Sequence, residues 1–179
     1  MLTIEPVESR NSAVIQEIIA DPEMAVTCDI PSAPPPDAAS GWIARMKSLE
    51  EKGAGRTFVI VADGSVVGAC GLYRIDREHG IAEMGFFVGK RYWRRGYASS
   101  AGRTLLARAF TGTGLRSVQA SCLAWNAGAK ATLKKLGFQP AHEEPPPPGS
   151  KFPPEERHQY WKLDREQWVM LEQTAKIPK

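Results

Sequence analysis

Apolar residues recur along the chain with two spacings, and the spacing changes wherever turn-forming residues intervene. Val14, Ile15, Ile18 and Ile19 form a helical stripe within residues 11–20. Trp42, Ile43, Met46 and Leu49 form another, in a helix predicted to start at Asp37 as its cap and to end near Gly53. Ala98, Ala101, Leu105, Leu106 and Ala109 make a third, stopped by Thr-Gly-Thr-Gly at 111–114. A fourth helix is predicted from Ala127 to Leu136 and is closed by Gly137. Between them, β-branched and alternating runs predict strands at 2–7, 57–62, 66–75, 81–88, 117–123, 138–143 and 159–163.

Turn residues complete the outline. Asp63-Gly64 joins two strands as a hairpin. Residues 21–36, with Pro22, Pro31 and Pro34 to Pro36, read as a loop. Residues 144–156, with Pro145 to Pro148 and Pro153-Pro154, read as a stiff surface connection. Trp168 is placed to pack the tail. With no repeat and no boundary, helices set among hairpin-connected strands predict a single α+β domain over residues 1–179.

Composition narrows the function classes. A chain of 179 residues, 42% hydrophobic and 24% charged, can bury a sizeable core. The net charge of +3 suits an anionic ligand but is too small to argue for nucleic acid. No apolar run approaches the roughly 20 residues that span a bilayer. The first ten residues lack a basic region before an apolar core, so a cytoplasmic location is expected. Cys28, Cys70 and Cys122 are scattered, which predicts free thiols, with neither a disulfide framework nor a zinc site. His79, His142 and His158 have no metal-ligand spacing and are expected to be exposed or structural.

Chemistry concentrates between Glu83 and Ala109, where a strand runs into a basic glycine loop and then a helix. A helix start carries unpaired N–H groups and partial positive charge, and so holds an anion. Gly96 and Ala98 let a ligand approach the backbone closely, while Arg91, Arg94 and Arg95 supply charges for phosphate oxygens. The loop is neither a Gly-Lys-Ser/Thr phosphate loop nor a dinucleotide fingerprint, which disfavours an ATPase or a nicotinamide enzyme.

The segment Trp93-Arg94-Arg95-Gly96-Tyr97-Ala98 resembles the Gln/Arg-x-x-Gly-x-Gly/Ala loop of the GNAT superfamily of N-acetyltransferases. Trp93 departs from the usual first position. A Tyr-Trp pair there, Tyr92-Trp93, is common in the RimJ/RimL ribosomal-protein N-terminal acetyltransferase type, which the chain resembles most. Asn126, followed by a helix ending Lys135-Leu136-Gly137-Phe138, is the second landmark.

The resemblance implies a mixed, mostly antiparallel sheet with splayed middle strands, flanked by helices. It implies acetyl-coenzyme A as co-substrate, no metal, and acetyl transfer by direct attack of a primary amine (a peptide N-terminus or a small amine). Pantetheine is then expected along Phe86, Phe87 and Val88, with the Val88 N–H polarising the thioester carbonyl. The pyrophosphate is expected on Arg94, Arg95, Gly96, Tyr97, Ala98 and Ser99, with Tyr92 and Trp93 packed under the loop. Asn126 serves as a helix cap, as a pantetheine contact, or as both. The acceptor groove is expected between residues 21–36, the helix bearing Trp42, and residues 144–156. A homodimer is compatible with the family.

Glu83 is the candidate base. Alternation puts Ile81, Glu83, Gly85 and Phe87 on one face, an apolar setting that would raise a carboxyl pKa toward what proton abstraction needs. The alternative is a strand-edge carboxylate paired with Arg74 or Arg77. The general acid is missing. Leu133 and Ala129 stand where relatives carry tyrosine or serine, leaving Cys122, Tyr160 or water. An acyl-coenzyme A sensor without efficient catalysis is the rival reading. An RNA-binding domain would rest on Lys90, Arg91, Arg94, Arg95 and Arg103, charges that a phosphate-rich cofactor explains better.

Overall fold

The computed structural model describes residues 1–146 and 149–175. One seven-stranded sheet runs through them in the order β1-β2-β3-β4-β5-β7-β6. The strands are β1 (Leu2–Pro6), β2 (Arg56–Ala62), β3 (Ser65–Asp76), β4 (Ile81–Val88), β5 (Ser117–Leu123), β6 (Gln139–Glu144) and β7 (His158–Asp164). All neighbours are antiparallel except β4 and β5, which run parallel. The parallel pair needs a crossover, and α4 (Tyr97–Gly112) supplies it.

Helices cover both faces. On one, Ala101, Leu105, Leu106 and Phe110 of α4 pack with Ile60, Met84 and Val118 of the sheet. Leu133 of α5 (Ala127–Lys135) and Trp168 of α6 (Arg165–Ala175) join that cluster. On the other, Ile15 and Ile19 of α1 (Ser12–Ile19) meet Ile43 and Met46 of α3 (Ala38–Glu51) over Val59. β4 shows the division most clearly. Ala82, Met84 and Val88 are buried toward α4, while Ile81, Glu83, Gly85 and Phe87 are half-buried on the opposite side.

The predicted α+β fold, its strands and four of its helices are present. Two helices depart from expectation. Residues 21–36 are not all loop, because α2 (Pro22–Thr27) lies within them. Asp21 caps it, its Oδ1 accepting from the Glu23 N–H at 3.0 Å, and Pro22 occupies the first helical turn, where proline is favoured. The tail after β7 is the helix α6, whose Trp168 tilts against Phe110 at 6.2 Å. Asp37 precedes α3 without capping it through its side chain. Instead Gln16 of α1 reaches over, its Oε1 accepting from the Ala39 N–H at 2.9 Å. The proline-rich stretch begins only after β6 ends at Glu144, and Pro147 and Pro148 lie outside the described residues.

Candidate active site

β4 and β5 stay paired for only three steps, Ile81↔Ser117, Ala82↔Val118 and Glu83↔Gln119. Beyond Glu83 they diverge, and the backbone of each faces an open gap. Which β4 groups face it follows from the β3 ladder. The Gly89 N–H donates to the Val67 carbonyl at 2.9 Å, so Val88 and Gly68 are a non-hydrogen-bonded pair. Alternation then commits Phe87 to Ala69 and turns the N–H and C=O of Phe86 and Val88 into the gap. Of the three residues expected to pair with pantetheine, Phe87 therefore contributes its ring and not its backbone.

The wide end of the gap meets the basic loop. Arg94 and Gly96 both adopt left-handed backbone, φ 63° and 78°, and this coils the chain sharply into α4. Glycine takes that conformation freely, whereas Arg94 holds strain of the kind that persists at functional sites. The first intrahelical bond is Ser100 N–H to the Gly96 carbonyl at 3.0 Å. The N–H groups of Tyr97, Ala98 and Ser99 are left at the helix start as an anion cradle. Ser99 Oγ donates to the Gly96 carbonyl at 2.9 Å and steadies the turn.

The basic residues do not all serve it. Arg91 is tied to Glu17 of α1 at 2.9 Å, and Lys90 to Glu23 of α2 at 2.9 Å. Arg94 and Arg95 make no ion pair among the described residues, and Arg95 lies over the Tyr92 ring at 5.8 Å. Trp93 Nε1 donates to the Val88 carbonyl at 2.6 Å, locking the loop to the strand end. Across the gap Asn126 caps α5, its Oδ1 accepting from the Ala129 N–H at 3.0 Å. Its amide NH2 is left over for a ligand.

Below the gap a cleft of about 1490 Å³ runs from α4 and α5 through to α1, α2 and α3. Trp42 and Phe87 wall it, ring edge to ring face at 5.9 Å, with Phe152 contributed by the proline-rich segment. Lys151 holds that segment down through the backbone carbonyls of Ala25 and Ile30, and its N–H reaches Asp29 Oδ1 at 3.1 Å. The floor carries Tyr73 across Gly85, where a Cβ would meet the ring at 3.0 Å. Burial pushes the Tyr73 hydroxyl up to about 12, so it stays protonated.

Glu83 sits at the bottom of the splay, a third exposed, with Arg74 Nη1 at 3.3 Å from its carboxylate. The apolar setting expected for it is thus not what the fold builds. The alternative pairing with Arg74 is present, and the carboxylate still lines the cleft. Cys122 lines the cleft as well, but from the α4 side of the sheet, and burial pushes its thiol up. Tyr160 is half-buried on the same face as Glu83, stacked on His142 at 4.8 Å.

A strand gap that ends on a glycine-turned helix start is a known architecture, and the sequence comparison decides which. The acetyltransferase (GNAT) domain matches residues 1–139. The chain belongs to the GNAT acetyltransferases. It is thereby an acyl-coenzyme A-dependent N-acetyltransferase by family. An uncharacterised N-acetyltransferase, p20 of Bacillus licheniformis, is 29% identical over 140 residues, covering 77% of this chain and 79% of that protein. The fold is that of RimL, a ribosomal L7/L12 alpha-N-protein acetyltransferase solved with coenzyme A. Its TM-score is 0.82 at 11% identity, over 91% of this chain and 93% of that one. Spermidine N-acetyltransferase from Vibrio cholerae, solved with coenzyme A and spermine, gives a TM-score of 0.80 at 15% identity. That match covers 94% of this chain and 98% of the other.

In this GNAT chain the fold brings Phe86, Val88, Trp93, the 94–99 loop and Asn126 to one gap. Two cleft residues escaped sequence reasoning. Tyr73 sits in a strand whose alternation marks its face, yet nothing in the sequence says that Gly85 leaves room for its ring. His158, expected to be exposed or structural, lines the cleft at the start of β7. Its pairing with Leu123 of β5 was the missing signal. Among the described residues no group of three or more metal-ligating side chains occurs, and no helix is long and apolar enough to cross a membrane.

Proposed function

We propose that the chain binds acetyl-coenzyme A in the β4–β5 gap and transfers its acetyl group to a primary amine entering from the α2–α3 side. The carrying observation is the opening of the sheet beyond Glu83 onto the unpaired N–H groups of α4. An extended amide-bearing arm fits there as an added strand, donating to the Phe86 carbonyl and accepting from the N–H groups of Phe86 and Val88. The pyrophosphate then lies on residues 94–99, with Arg94 and Arg95 beside it. The Asn126 amide donates to a pantetheine carbonyl.

The thioester reaches the level of Phe86 to Val88, where a gap-facing N–H stabilises the developing oxyanion. Glu83 draws a proton from the incoming ammonium, directly or through water. Thiolate departs toward solvent in the gap, with no Tyr or Ser at positions 133 and 129 to protonate it.

The cleft supports one kind of acceptor over another. Its carboxylates are Asp29 and Glu83 alone among the described lining residues, and Glu83 is already paired. A polyamine needs several carboxylates. Ile19, Met24, Ile30, Trp42, Phe87 and Phe152 instead suit one amine on an apolar body, such as a peptide N-terminus with a large apolar first residue. The test is calorimetric titration with acetyl-coenzyme A, followed by thiol release across N-terminal peptides and polyamines. Saturable binding with peptide-dependent release is expected. Failure to bind acetyl-coenzyme A would overturn the reading.

A further inference from the structure

His158 lies beyond residue 139, outside the stretch that the family shares, yet it lines the reactive cleft. Its height in the cleft follows from register. Glu83 pairs with Gln119 at the last step of the parallel ladder, and Leu123 lies four residues further along β5, in the part that has diverged from β4. His158 is the cross-strand partner of Leu123 on β5. Paired residues share a face, so His158 looks out on the side of Glu83, Gly85 and Phe87. It thus stands beside the diverged part of β5, four residues along from the step at which Glu83 pairs with Gln119.

The imidazole has an unusual state. Both ring nitrogens are shielded from solvent, and neither has a hydrogen-bond partner among the described residues. Phe152 stands edge-on to the ring at 6.0 Å. Buried polar groups without a partner are costly and few in folded proteins, and this pair of nitrogens faces a cleft that a donor could enter. An ammonium offers three N–H donors and a charge. The groups that face the ring from neighbouring elements are Asp29 before α3, Glu156 before β7, and Glu144, its partner on β6. Lys151, the nearby cation on that segment, already donates its ammonium to the Ala25 and Ile30 carbonyls.

We propose that His158 receives the acceptor amine: the ammonium displaces the Phe152 edge, donates to the free imidazole nitrogen and gives up a proton to it. This rests on the transferase reading above. The balance is simple. The ammonium passes one proton to His158, the nitrogen forms its bond to the thioester carbon, and the C–S bond breaks. The thiolate takes the second nitrogen proton, and the imidazolium returns its proton to solvent. Glu83, paired with Arg74, then draws the ammonium's first proton on from the imidazolium through water and passes it to solvent. Burial holds the His158 imidazole below its ordinary value, so it enters the cycle neutral and ready to accept.

The experiment compares wild type with His158→Gln and His158→Ala in amine-dependent thiol release, alongside calorimetry of acetyl-coenzyme A. The expected result is a kcat loss of about tenfold or more, with unchanged cofactor affinity. The acid limb of the kcat/KM profile is lost in both variants, and added imidazole restores part of the His158→Ala rate. Rates within about twofold of wild type, or loss of cofactor binding in both variants, would overturn the role of His158 alone. A wild-type protein that binds acetyl-coenzyme A and releases no thiol would overturn the transferase reading and this proposal together.

Discussion

Trp93 donates its indole N–H to the Val88 carbonyl at 2.6 Å, and so ties the first residue of the basic loop to the last residue of β4, the strand proposed to hold the cofactor. Val88 has one acceptor and one donor facing the gap. The indole takes the acceptor, which leaves the donor for a ligand carbonyl. Trp93→Phe keeps the ring and removes only this bond. Acetyl-coenzyme A affinity should weaken about three- to tenfold, in line with a hydrogen bond worth ~1 kcal/mol, with little change in thermal midpoint. Calorimetry checks it, and an unchanged Kd would mean that the loop holds its shape without the indole.

Asn126 is asked to do two jobs, and two substitutions separate them. Asn126→Ser keeps a capping oxygen for the Ala129 N–H but loses the amide NH2. Asn126→Ala loses both. The serine variant should keep wild-type stability and bind acetyl-coenzyme A more weakly. The alanine variant should also lose about 1 kcal/mol in denaturant unfolding. Equal affinity in the serine variant and wild type would reduce Asn126 to a cap.

Glu83→Gln preserves shape and removes the negative charge. Turnover should fall by about 10²-fold while acetyl-coenzyme A affinity stays within twofold, because the carboxylate is at the acceptor end of the cleft. Unchanged turnover across the pH range would take Glu83 out of the mechanism.

Gly85→Ala probes the cleft floor. The added Cβ meets the Tyr73 ring at 3.0 Å, and the Tyr73 hydroxyl already lies close over Gly71 on its own strand. Destabilisation of about 1–3 kcal/mol is expected, with a raised KM for the amine. A thermal midpoint equal to wild type would show that the ring moves freely.

His158 also links stability to pH. Burial lowers its pKa in the folded protein from the ordinary 6.5, so the unfolded chain binds the proton more readily. Its contribution is complete above about pH 6.5 and is lost as pH falls through the folded value. The thermal midpoint should drop as pH falls below about 6.5, and His158→Gln should flatten that drop. Parallel curves for both proteins would contradict it.

The cofactor half of the proposed site is legible in the sequence because that half is local. Strand, Gly96 turn and helix start are contiguous from Glu83 to Ser99, and anion binding follows from backbone geometry that glycine and small residues announce. The acceptor half is assembled from afar. His158 meets Leu123 only through the β5–β7 pairing, and Lys151 anchors its segment on Ala25 and Ile30 from more than a hundred residues away. The environment of Glu83 is decided by the same kind of distant contact. Strand alternation gives the face correctly and offers Arg74 or Arg77 as partners, but only the fold, with Arg74 left-handed at the end of the β3 ladder, selects Arg74 over the apolar setting. Pro22 was taken for a breaker where it starts a helix, because its meaning depends on whether the cap Asp21 precedes it.

The most direct test of the account is amine-dependent release of coenzyme A thiol by the wild-type protein, with the acceptor product weighed. The account predicts saturable release with N-terminal peptides of large apolar first residue, and a product heavier by one acetyl group on the α-amine. Tight acetyl-coenzyme A binding with no release on any amine would contradict it.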